Sequence, residues 1–423
     1  MKRLKSTCLA LLAGLGATAF VSAAPPRTDI NPAMLYYQAF NVAVDLSESD
    51  RNYLFTNDWA GQKVTPQATQ LLDRYANQFK LVRQAALSTV PCDWGIDFTP
   101  GPATLLPHLS RVKGIVQALR VRAILDLQSG HPEDARDNLL AAFVLGRNCA
   151  RDGVLISAMV QLAAEGMIYS TVAQNFYEFP PETLKQLADG FGAAPARRTV
   201  ADCMPAEKTW FHAWMIDKVL ELQKENPGND AKVVSAIRDL VTGLEGDGQE
   251  GQPRLKQNSP SIADQLVQAA GGASAGVLKL LRDEAPFYDK ASTILALPCG
   301  EYEEQMKNFR AEIQNAANPL LDLTFPALEK CRPKEFGTVT QMAMVRAAIE
   351  FKLRGEDGLR SVADPCGQGP FASERFSFEG VDRGFALKSP YAGRGFPEVL
   401  IFVEKAGPSF AVSGKDAGEA SRK

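Results

Sequence analysis

Apolar residues fall every three or four positions over most of the chain. Leu105, Leu109, Val112, Val116, Leu119 and Ala123 line one face of a predicted helix. Gly130 stops that face, and His131-Pro132-Glu133-Asp134-Ala135 starts a second helix with proline at its first position. Upstream, Asn31-Pro32 caps a predicted helix running from Met34 to Leu46. Thr65-Pro66 repeats the signal ahead of Leu71, Leu72, Tyr75, Phe79, Val82 and Ala86. Leu155 to Ala173 is apolar nearly all round, the mark of a central helix. Helical spacing returns over Glu182 to Phe191, Pro205 to Gln223, Ile262 to Leu281, Glu301 to Ala316, Leu320 to Lys330 and Thr338 to Leu353. The period then shortens. Arg375 to Glu379 alternates, Gly384 to Lys388 follows a turn, and Val399 to Val403 is a compact apolar run, together predicting three short strands.

These patterns predict a mainly α fold: a helical-hairpin, tetratricopeptide-like bundle with a small C-terminal antiparallel β-unit. The small residues Ala123, Gly130, Ala135 and Ala142, with Leu139, are spaced as in one tetratricopeptide unit. The aromatic positions of that consensus are missing, and no second copy follows at an offset of about 34 residues. The expected organisation is a signal peptide over 1–23, a helical-hairpin domain over 30–242 and a linker over 243–261. A second helical segment over 262–355 packs on the first, followed by a β-unit over 356–405 and a frayed tail over 406–423.

The N-terminus changes the picture most. Lys2, Arg3 and Lys5 precede an apolar run from Cys8 to Ala19, and Val21-Ser22-Ala23 offers small residues for cleavage after Ala23. The run is shorter than the ~20 residues that span a bilayer, so export to the periplasm or exterior is expected, with no transmembrane segment after cleavage. Of 46 basic and 49 acidic residues, the signal carries three of the basic ones; the rest, 43 against 49, give a net charge of −6. A mildly acidic chain without a basic stripe excludes nucleic acid as the expected partner. Cleavage also removes Cys8 and leaves Cys92, Cys149, Cys203, Cys299, Cys331 and Cys366, an even set that suggests disulfides in an oxidising compartment. An antiparallel hairpin returns Cys149 toward the loop that holds Cys92, making Cys92–Cys149 a candidate pair. None of the spacings is C-x-x-C, so no metal site is expected.

Catalytic signatures are few. Ser110-Arg111-Val112-Lys113 matches S-x-x-K, but Ser-Asp-Asn and Lys-Thr-Gly are both absent, and a lone match of this kind is expected by chance. Nucleophile-elbow, zinc-helix, P-loop and dinucleotide motifs are absent too, so no cofactor is expected. His108, His131 and His212 are never three or four residues apart. The charge that stands out is Glu165, inside the apolar helix, where burial demands a partner. Arg147 and Arg151 end the preceding helix and could supply one. Glu207, close to Trp210, His212 and Trp214, is a second candidate. With His108, these residues make up an expected polar pocket: Glu165, Glu207, Arg147 and His108. An ion pair that fixes helix register is the competing reading. The early aromatics, Tyr36, Tyr37, Phe40, Trp94 and Phe98 among them, are either core beneath an irregular loop or a sugar-stacking face.

The stretch Cys92-Asp93-Trp94-Gly95-Ile96-Asp97-Phe98, with Gly101 to Leu109 and Leu145-Gly146-Arg147, resembles uncharacterised exported or membrane-anchored helical proteins of planctomycete-type bacteria. Asp364-Pro365-Cys366-Gly367 and the strand pair after it resemble the unit that closes type II pseudopilins. That resemblance implies an architecture rather than a chemistry. The sequence therefore leads to an envelope binding or scaffolding protein whose partner is another envelope protein. The alternative is an envelope hydrolase using buried carboxylates.

Overall fold

The computed structural model describes residues 27–42, 44–246, 261–393 and 398–406. The expected signal peptide, most of the expected linker and nearly all of the expected tail lie outside the described residues. The N-terminal helices are α1 (Pro32–Asn41), α2 (Glu48–Thr56), α3 (Pro66–Asp73), α4 (Ala76–Ala86), α5 (His108–Gln128), α6 (Pro132–Cys149), α7 (Leu155–Gln174) and α8 (Pro181–Ala193). After them come α9 (Val200–Glu207), α10 (Trp214–Glu225), α11 (Asp230–Gly246), α12 (Ile262–Ala269) and α13 (Ser274–Leu295). The last helices are α14 (Cys299–Ala316), α15 (Pro319–Thr324), α16 (Pro326–Arg354) and α17 (Glu356–Arg360). The strands β1 (Ala372–Phe378), β2 (Val381–Lys388) and β3 (Val399–Val403) form one antiparallel sheet in chain order. The protein is mainly helical with a small C-terminal sheet, as its hydrophobic periods predict.

The α5–α6 hairpin turns where Gly130 takes φ +77°, a conformation glycine adopts without a Cβ clash. Buried Asp126 braces the turn, accepting from Arg122 Nε at 2.9 Å and Asn138 Nδ2 at 2.8 Å. Close approach of the next pair depends on Gly146, where an added Cβ would meet Ala164 Cβ at 2.9 Å. Among the described residues, α7 is the helix long and apolar enough to cross a membrane. It packs instead against α5, α6, α9, α16 and β3, at the centre of the molecule.

Among the described residues the apolar side chains gather into three large clusters and a small fourth one of Ala150, Ala158 and Cys203. The largest joins α1–α8 to Met344, Val345 and Ile349 of α16 and to Phe385 and Phe402 of the sheet. A second unites α9, α13, α14 and the start of α16 around Tyr288, Tyr302 and Phe325. The third gathers α10–α13 around Val219, Ile237 and Leu281. The aromatics Tyr36, Tyr37 and Phe40 pack on Trp94, whose Nε1 donates to Asn148 O at 2.8 Å. They are core under an irregular loop, not a sugar-stacking face.

Several boundaries differ from the sequence pattern for identifiable reasons. The helix expected from Ile262 to Leu281 breaks at Gly271-Gly272, both at positive φ, where Gly272 N reaches back to Val267 O at 2.9 Å. The helices expected from Leu320 to Lys330 and from Thr338 to Leu353 are joined, because α16 runs through Pro333. Arg332 supports that crossing by pairing with Glu335 at 2.6 Å and lying over Phe336 at 4.2 Å. In the sheet, Glu379 and Gly380 carry the positive φ values of a tight hairpin turn. A Cβ at Gly384 would overlap Phe402 O.

The disulfide joins Cys299, at the start of α14, to Cys366 in the loop ahead of β1, with a Cα–Cα distance of 5.3 Å. The expected Cys92–Cys149 pair is not formed, and both thiols are free and buried. The hairpin does bring them into one neighbourhood, since burial and then the charges of Asp152 and Cys92 raise the Cys149 pKa. Their sulfurs have other neighbours. Cys149 Sγ lies 4.0 Å from Ser157 O, and Cys92 faces the Ala33 backbone N–H.

Candidate functional site

Glu165 is fully buried on α7, as its place in an apolar helix suggests. Arg147 Nε lies 2.5 Å from Oε1, and Arg197 Nη2 lies 2.5 Å from Oε2. Arg147 also donates through Nη1 to Pro195 O at 3.1 Å. Arg197 was not foreseen; it comes from the irregular segment between α8 and α9. Gln161, one helical turn before Glu165, clamps that segment through two bonds: Nε2 donates to Arg198 O at 3.0 Å and Oε1 accepts from Arg198 N at 3.1 Å. The second polar interruption of the apolar helix thus positions the cation that satisfies the first. Burial opposes the Arg197 charge, but Glu165, Tyr169 and Glu335 together hold its pKa above the ordinary value. This carboxylate, fully buried and engaged by two guanidiniums and by Tyr169 Oη, is closed to a substrate.

Glu207 and His108 gather at the other end of α7. Glu207 Oε1 accepts from Leu155 N at 2.7 Å and so caps the helix N-terminus. Burial raises its pKa, the Leu155 bond opposes this, and Asp152 adds to the rise. Asp152 accepts from Ser157 Oγ at 2.6 Å, and His108 Nε2 lies 3.4 Å from the same oxygen. The His108 ring stacks on Trp94 at 4.6 Å. Here serine and imidazole both converge on the carboxylate, whereas nucleophile activation needs the imidazole between the other two. From Leu155 to Glu165 the helix rises about 15 Å. The expected pocket of Glu165, Glu207, Arg147 and His108 therefore divides into two separate networks.

A buried acid that sequence reasoning missed lies at the seam of the second and third clusters. Glu284 on α13 is fully buried; Oε1 accepts from Thr324 Oγ1 at 2.9 Å, and Oε2 has no hydrogen-bond partner among the described residues. Burial pushes its pKa up to about 7, with the Thr324 bond opposing. Tyr288 is one turn on, and the His212 ring lies tilted against it with centroids 5.5 Å apart, while His212 Nε2 lies 2.6 Å from Leu281 O. Arg282-Asp283-Glu284 reads in sequence as a solvated charge run, and its last member is enclosed by elements packed on α13, among them α15, which supplies Thr324. Among the described residues, no three His, Cys, Asp or Glu side chains converge to hold a metal ion.

No comparison names this arrangement. No protein-family model matches the chain, and it has no significant similarity to a curated protein or a solved structure.

Two open clefts lie outside these networks. One, of about 950 Å³, runs between the ends of α4, α6 and α8, over Leu87, Leu140, Ala141, Val144 and Ala194, with Arg83 and Arg151 at its edges. The other, of about 800 Å³, runs along α7 between Arg120 and the start of α16.

Proposed function

We propose that the protein is an exported binding or scaffolding protein of the cell envelope, engaging another protein through the cleft on its helical hairpin. The observation that carries this reading is the open α4–α6–α8 cleft, lined mainly by small and apolar side chains. A cleft of this size and composition suits a segment of a partner. The carboxylates that a hydrolase would need support it by their engagement: Glu165 is held by Arg147 and Arg197, and Glu207 caps α7. The Cys299–Cys366 pair agrees with an oxidising compartment. The likeness to exported helical proteins points the same way.

The test is quantitative affinity capture from envelope extract with the wild type and with Val144→Glu, which places a charge in the cleft. The reading expects a defined partner that Val144→Glu loses while its thermal unfolding stays unchanged. Equal capture by both proteins, or turnover of an envelope glycan or peptide by the purified chain, overturns it.

A further inference from the structure

The exposed side of α7 supports a second and separate inference. Met159, Ala163, Gly166, Met167, Ser170 and Gln174 recur at helical spacing and stay open to the second cleft, although most of the rest of this helix is core. A bare apolar stripe on a central helix calls for a cover. Its flanks say what kind of cover, because they carry cations.

Lys330 and Lys334, one turn apart on α16, are exposed and have no carboxylate partner among the described residues. The nearby Glu329 is engaged by Arg310, whose Nε lies 2.6 Å away. On the opposite flank Arg120 donates through Nε to Thr171 Oγ1 at 3.1 Å, and its Nη groups make no hydrogen bond among the described residues. Burial lowers the Arg120 pKa, and the charge of Asp58 opposes this. Glu398, the acid that reaches this wall, is buried and meets Gln341 Nε2 at 3.4 Å.

These cations sit toward opposite ends of the stripe. Gln341 lies beside Gly166, and Lys352 donates to Phe176 O at 3.1 Å, so α16 runs parallel to α7. Lys330 and Lys334 therefore flank the Met159 end, while Arg120 flanks Ser170. The two ends are about 16 Å apart along the helix. An extended chain covers that span in about five residues. Carboxylates spaced along such a chain meet both groups of cations at once, whereas a lipid with one anionic headgroup meets only one of them.

We propose that this cleft binds an extended acidic peptide segment of another protein, its carboxylates at Lys330–Lys334 and Arg120 and its apolar side chains over Met159 to Met167. The site shares no lining residue with the hairpin cleft, so the two readings stand or fall separately.

The experiment is fluorescence anisotropy on the full exported chain with labelled Glu-Leu-Ala-Leu-Glu. The same peptide with Gln in place of Glu and the fatty-acid anion laurate are the comparison ligands. Saturable, salt-sensitive binding of the acidic peptide is expected, weaker by at least about fivefold for the Gln peptide and for the K330Q/K334Q double variant. Ala163→Trp, which fills the floor from an exposed position, abolishes binding, while Val144→Glu in the other cleft leaves it unchanged. Thermal unfolding confirms that each variant is folded. No saturation up to about 1 mM peptide, equal binding of the Gln peptide, or displacement by laurate of a peptide insensitive to Ala163→Trp overturns the proposal.

Discussion

Replacing Glu284 with glutamine gives the most direct test of how this interior handles charge. The native carboxyl has its pKa raised from 4.5 to about 7, so the folded protein holds that proton more tightly than the unfolded chain does. Stability is then greatest on the acid side. It falls as pH rises from about 4.5 toward 7, and levels off once both states are ionised. The ionised group costs the fold about 3 kcal/mol at the plateau. Glutamine keeps an acceptor for Thr324 and cannot ionise. E284Q should therefore match the wild type near pH 4.5 and exceed it by about 3 kcal/mol near pH 8. For a chain of this length that is roughly 3–4 °C in Tm. The assay is thermal or urea unfolding of both proteins across that pH range, read as the difference curve. Subtraction matters, because Glu207 is also raised and adds a slope of the same sign that both proteins share. Parallel curves, or a variant less stable near pH 8, would refute the claim that Glu284 is buried without a cation.

Removing one member of the Arg147–Glu165–Arg197 network strands the others. Glu165→Ala or Arg197→Ala should cost about 3–5 kcal/mol by chemical denaturation, and a loss below about 1 kcal/mol would mean the triad is solvated. Gly146→Val forces α6 from α7 and should cost about 1–3 kcal/mol, with stability unchanged if the helices are free to separate. The disulfide closes a separation of 67 residues, so its reduction should lower stability by about 4 kcal/mol on loop entropy. Thiol titration adds a second check on the cysteines. The four free cysteines among the described residues are all buried, so in the chain without residues 1–23, and hence without Cys8, reagent should find none before denaturation.

Much of the fold was legible because periodicity is local. The hairpin at Gly130, the centrality of α7 and the three strands all follow from spacing along the chain. The burial of Glu165 was legible too, since a lone carboxylate in an apolar helix has few other fates; of the two arginines expected near it, Arg147 pairs with it and Arg151 lines the hairpin cleft instead. Arg197 was not legible, because a cation in an irregular segment carries no period to read. Gln161 was the available signal: a second polar residue in the apolar stripe, whose clamp points to the segment that supplies the arginine. Glu284 was hidden for the opposite reason. Its neighbours Arg282 and Asp283 disguise it as surface, and its burial depends on helices distant in sequence. The pairing of Cys299 with Cys366 was equally invisible, since only tertiary packing brings the start of α14 against the loop before β1.

The largest apolar cluster draws residues from both ends of the chain: Leu35 and Tyr36 from the first helix, Phe385 and Phe402 from the last strands. This sets an order of assembly. A chain synthesised N-terminus first cannot close that cluster until β3 has been made. Until then, α5 to α8 present bare apolar surface that α16 and the sheet will later cover. Contacts of such long sequence separation slow folding and prolong exposure. The segment from Met344 to Phe402 is thus the closing clasp of the N-terminal half rather than an appendage. A chain truncated before α16 would leave that half open and prone to aggregate.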